Sequence, residues 1–145
     1  MLSFEIARRL AEAVLDEGQR RRSSALTVGV LDAGGHQLVL YRQDGSGFIR
    51  NQIAIGKAWG ALSLGFSSRG IATIAERVPA FYTSLTVAAE GRMFPAPGGV
   101  LLRADTNTII GAVGVSGDNS DTDEACAIIA AHTVGLVPDP LQPST

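Results

Sequence analysis

The sequence predicts an α+β protein built on one antiparallel sheet, in the order α–β–β–α–α–(α)–β–β–α. Three observations predict it. The β-rich runs come in two close pairs, "ALTVGVLD" with "HQLVLYRQ" and "VLLRAD" with "TIIGAVGVS". The gap within each pair is too short for a crossover helix, so each pair reads as a hairpin. Helical patterns lie around the pairs and not between every two strands. That order excludes the βαβ alternation of a doubly wound nucleotide fold.

Each element has its own signal. From Ser3 to about Arg22, Ile6, Leu10 and Val14 recur at helical spacing with charges on the other face. Ser3 is the expected N-cap, and Gly18 is a candidate early stop. Ala33-Gly34-Gly35 supplies the tight turn of the first hairpin. Asp44–Gly47 is a breaker before the helical run "FIRNQIAIGKAWGALSLG". Gly56 and Gly60 stand four apart on that helix. Each costs about 1 kcal/mol there, so something is expected to pack close against it.

A third helix, "SSRGIATIAERV", starts at Ser67 or Ser68 and is broken by Pro79. "AFYTSLTVAAE" reads as a short helix or irregular segment. "GRMFPAPGG" reads as loop, with a short extra strand near Met93 bringing the sheet to about five. A turn at Asp105–Asn107 joins the second hairpin. A last helix runs from Asp123 to about Val134, with Asp121 as cap and Glu124 three residues on. Residues 1–137 form one expected domain, and 138–145 a Pro-rich extended, mobile tail.

Composition narrows the class. The chain has 145 residues, 46% hydrophobic and 18% charged, which suits one domain with a real core. A net charge of −2 gives no electrostatic case for nucleic acid or an anionic membrane. One cysteine, Cys126, allows no internal disulfide. Nothing resembles a signal peptide or a membrane span. The expectation is a soluble cytoplasmic protein.

Several chemical motifs fail on spacing. A phosphate loop ending at Gly56-Lys57 needs glycine at Asn51 and Ser or Thr at Ala58. A nucleophile elbow on Ser116 needs glycine at Asp118. A calcium loop from Asp118 has Asp123 where it needs glycine and Ile129 where it needs glutamate. One cysteine and two distant histidines exclude a structural zinc site.

Candidates remain. Lys57 lies on a protein-facing side of its helix, so its ammonium either snorkels out or enters a pocket. Phe94–Gly99 is stiffened by prolines, while Gly98 and Gly99 let backbone N–H groups approach a ligand or another chain. His36 is a turn residue or a ligand to a metal or haem iron. Asp118–Glu124 is a helix start or a cation site, with Asp118 and Asp121 as further metal candidates. His132 reads as a capping or half-buried residue, and Cys126 as core.

At "VLDAGGHQLVLYRQDG", "AIGKAWGAL", "FPAPGGVLL" and "IIGAVGVSGDNSDTDEACA" the chain resembles the GlcG/HbpS family. This is a haem-binding-like domain also found fused to cobalamin adenosyltransferases. The blocks cover about half of the chain in the family's order. The resemblance implies a profilin-like fold, with helices on both faces of the sheet. It also implies a homo-oligomer and a small ligand, haem or an organic acid.

Three functions follow as hypotheses. The first is a ligand-binding homo-oligomer, with Lys57, Phe94, Gly98, Gly99, Ser116 and Gly117 at the ligand. The second is an enzyme on an organic acid or carbonyl compound. There Lys57 polarises the substrate and Asp118, Asp123 or Glu124 is the base. The third is an assembly module with no ligand.

Overall fold

Strands buried on both faces lose the alternation that marks a half-exposed sheet. That is the case for the two central strands, whose residues are nearly all buried. A computed structural model describes residues 1–105 and 107–144. Its elements are α1 (Phe4–Arg20), β1 (Thr27–Asp32), β2 (Gln37–Arg42), α2 (Ile49–Leu64), α3 (Ser68–Arg77), α4 (Pro79–Ala88), β3 (Gly99–Arg103), β4 (Ile109–Ser116), α5 (Ser120–Thr133) and β5 (Val137–Asp139). The five strands form one antiparallel sheet in the order β2-β1-β4-β3-β5. The α+β class and the element order are as the sequence predicts.

Helices cover both faces. On one face α1 and α5 bury Leu10, Val14, Cys126 and Ile128 against Val28, Val30, Val113 and Val115. Each such aliphatic side chain contributes about 1.5–3 kcal/mol on burial. On the other face α2 lays Ala58 and Ala61 on Leu31, Leu101 and Ala112. These α2 residues are small because the helix lies almost on the strands. A Cβ on Gly114 would strike the Ala54 carbonyl oxygen of α2. Gly56 and Gly60 serve the opposite side of α2, where residues 92–94 and Ile71 pack.

The ends follow local chemistry. Ser3 caps α1 by accepting from the Ile6 amide at 3.2 Å, and the helix runs through Gly18 to Arg20. Pro79 ends α3 and occupies the first turn of α4, where its missing N–H costs nothing.

Three boundaries differ from expectation. The segment at Met93 crosses α2 as loop and is not a strand. The fifth strand is β5, which pairs with β3 from Leu101↔Asp139 to Arg103↔Val137, so the expected tail begins too early at 138. Asn119, not Asp121, caps α5 by accepting from the Thr122 amide, and the helix starts at Ser120. The turn expected at Asp105–Asn107 contains Thr106, which lies outside the described residues.

Gly114→Ala sets a methyl against a backbone oxygen, which cannot swing aside. The expected loss is about 1–3 kcal/mol of stability, read as a lower urea midpoint. An unchanged midpoint would contradict the close approach of α2 to β4.

Candidate functional site

Lys57 is the residue around which the polar interior is arranged. It sits on the sheet side of α2, 2% exposed, and reaches past the end of β4 toward α5. Its Nζ donates to the Val115 carbonyl at 2.8 Å and to Asp123 Oδ2 at 3.3 Å. Asp123, 1% exposed, accepts the Asp118 amide on its other oxygen at 2.9 Å. Burial lowers the Lys57 pKa and raises that of Asp123, and their mutual attraction opposes both shifts. Gly98, at φ +129°, leaves the space that the ammonium fills: a Cβ there would lie 2.8 Å from Nζ.

The neighbouring candidates also close on the protein's own groups. Glu124, almost wholly buried, accepts from Arg69 Nε and Nη2 at 3.0–3.2 Å. The same Nη2 reaches the exposed Asp121 at 2.6 Å. Ser116 Oγ, fully buried, accepts from Arg50 at 3.0 Å. The Gly99 amide donates to Ser68 Oγ at 2.7 Å, and the Phe94 amide to the Gly56 carbonyl at 3.3 Å. Gly117 is packed on Ala25 and Leu26. Asp118 accepts from the amides of Ser24 and Asn119, both at 2.8 Å. Those two bonds hold its carboxyl below the usual range, the wrong direction for a general base at neutral pH.

Among the described residues no group of three His, Cys, Asp or Glu is placed to hold a metal ion. Cys126 is buried, and burial pushes its thiol up to about 11, which suits a core residue. His132 is tied through Nε2 to the Leu141 carbonyl at 2.9 Å.

A second constellation lies on the outer side of α2. Asp32 Oδ1 accepts from the Gly34 and His36 amides, each at 3.0 Å, and meets His36 Nδ1 at 3.2 Å. Those amides, the His36 one foremost, keep the Asp32 carboxyl ionised by lowering its pKa. A carboxylate only accepts, so Nδ1 is the donor in this contact and Nε2 stays outside it. The His36 side chain is 80% exposed. Beside it, Ala33–Gly35, Trp59, Leu62 and Ser63 line a hollow of about 160 Å³. Trp59 also bounds a hollow of about 190 Å³ with Ile55 and Arg92. Ile55 and Gln52 continue into a third of about 270 Å³ beside Leu40. Sequence reasoning named Asp123 only as a candidate base and not as the partner of Lys57, and it missed Arg69, Trp59 and Arg92. Trp59 alone had a signal: Gln52, Ile55, Gly56 and Trp59 fall at helical spacing on one face.

The family described as haem-degrading protein HbpS-like matches residues 2–132. The corrinoid adenosyltransferase PduO of Salmonella typhimurium is 28% identical over 136 residues, which are 92% of this chain. This chain spans only 40% of the length of that relative. Among solved structures, a PduOC:heme complex superposes with TM-score 0.83 at 24% identity, covering 93% of this chain and 96% of the other. That likeness shows the fold. ORFY of Klebsiella pneumoniae gives 0.82 at 27% identity, over 92% and 90%. HbpS gives 0.79 at 26% identity, over 92% and 90%. Among the described residues no helix is long and apolar enough to cross a membrane.

The Asp118 contacts set a pH dependence. With its folded pKa below 3.8, the stabilisation is complete above 3.8 and is lost as pH falls through the lowered value. Asp118→Ala is expected to cost about 1 kcal/mol at neutral pH. In urea titrations, the gap to the parent protein should close as pH drops below 3.8. A gap that stays constant over that range would contradict the assignment.

Proposed function

Because this chain belongs to the HbpS-like family of haem-degrading proteins, we propose that it is a homo-oligomeric haem-binding protein. The observation that carries this reading is His36, tethered through Nδ1 to Asp32 across the turn whose Ala33, Gly34 and Gly35 line the Trp59 hollow. A second-sphere carboxylate of this kind orients an imidazole and makes its free nitrogen a better ligand. The residues fit the group: His36 supplies an iron ligand, and the apolar face of α2 supplies Ile55 and Trp59 for a flat ring system. Bound haem would bring an iron centre able to exchange electrons and take up small molecules.

The oligomer is part of the same proposal. Helix α4 has no buried residue and no charged residue, and it leaves Phe81 and Val87 58% and 75% exposed. A second copy is the occupant that would cover such a surface. It would also enclose a haem that a single hollow of 160 Å³ is too small to hold. On this reading Lys57, Asp123 and Glu124 hold the frame and do not touch ligand. A cytoplasmic setting accords with a single buried, unpaired cysteine.

Hemin titration tests the proposal. The parent protein is expected to saturate near one hemin per chain with a shifted Soret band. His36→Ala should lose that shift, and Asp32→Asn should bind about tenfold more weakly or worse. A His36→Ala protein with the parent's Soret band and affinity would overturn the assignment of His36. A monomer by light scattering, with and without hemin, would overturn the oligomer.

A further inference from the structure

The hollow on the other side of Trp59 has a different chemistry. Gln52, Ile55, Gly56 and Trp59 form one face of α2, and the Gly91–Arg92 turn closes over it. Gly56 is what lets the chain come so near. A Cβ there would lie 3.2 Å from the Arg92 carbonyl and 3.3 Å from Phe94 Cβ. The approach sets the Arg92 guanidinium over the Trp59 ring, 4.2 Å from its centroid. A cation–π contact of this kind restrains the guanidinium near the indole, a restraint that a free surface arginine lacks.

That cation is only partly used. Its Nε donates to the Ala89 carbonyl at 2.9 Å. Its Nη2 lies 3.7 Å from an exposed Glu90 oxygen, beyond hydrogen-bond length. Among the described residues Arg92 makes no hydrogen bond to a carboxylate. Most of its five N–H donors remain available in the fork that matches two carboxylate oxygens. The hollow beside it is small, about 190 Å³, and largely apolar in its walls.

We propose that this hollow binds a small monocarboxylate with an apolar body. The body rests on Ile55 and the indole. The carboxylate takes the guanidinium fork in place of Glu90, and Gln52 offers an amide at the rim. The size admits a single ring or a short branched chain and excludes a tetrapyrrole. The site shares Ile55 and Trp59 with the surface proposed for haem but uses neither His36 nor Asp32, so the His36→Ala protein separates the two readings.

Trp59 is the single tryptophan of the chain, so its fluorescence reports directly on the wall of the hollow. Titration with cyclohexanecarboxylate is expected to give a saturable change in emission. Cyclohexanecarboxamide, of the same shape without the charge, should bind about tenfold more weakly or worse. Arg92→Gln should lose the preference for the acid, while His36→Ala should keep it. No saturable change with the acid, or an equal response to acid and amide in the parent protein, would overturn the proposal. So would an Arg92→Gln protein that still prefers the acid. The comparison of acid with amide needs no variant, so it stands even if Arg92→Gln disturbs the turn.

Discussion

A buried lysine needs an anion, and the position of Asp123 is the answer this fold gives to Lys57. Moving both ions out of water costs several kcal/mol each, which their attraction offsets only if every remaining donor and acceptor is placed well. Here the Val115 carbonyl serves the ammonium and the Asp118 amide serves the carboxylate. The pair therefore ties α2, on one face of the sheet, to the end of β4 and to α5 on the other. Gly98 and Gly114 follow from it in geometry, one making room for the ammonium and the other letting α2 lie close enough to deliver it.

The constraint also orders the start of α5. The polar groups at the start of α5 are held by one another, with Arg69 on Glu124 and the Ser24 amide on Asp118. On the outer side of α2 the polar groups are less fully paired. There the same helix presents Trp59 between two dissimilar polar groups, an imidazole aligned by Asp32 and a guanidinium stacked on the indole.

The element order was legible because hairpins and helices leave local marks. The Gly34-Gly35 turn, the Ser3 cap and Pro79 each act within a few residues of themselves. What misled was also local. Val137–Asp139 is three residues long and contains a proline, so its pairing with β3 leaves no pattern. The Met93 segment passes close over a glycine-bearing helix and joins no ladder. Asn119 outcompetes Asp121 as cap because Asp121 already lies within the first turn, where it faces Arg69.

The site was legible only as far as one element could show it. The pattern along α2 marks Lys57 as facing protein, yet Asp123 is 66 residues away and nothing in its spacing names a partner. The acidic run at 118–124 reads as one feature in sequence. In the structure its carboxylates go to separate tasks: Asp118 to the Ser24 loop, Asp121 and Glu124 to Arg69, and Asp123 to Lys57.

The most direct measurement is a double-mutant cycle on the buried pair by urea unfolding. Lys57→Met and Asp123→Leu should each cost about 3–5 kcal/mol, because each strands a charge. The double variant should recover a large part of that loss, with a strongly favourable coupling between the two positions. Single losses below about 1 kcal/mol, or a double variant that loses the sum of the two, would show that the pair does not hold the two faces together.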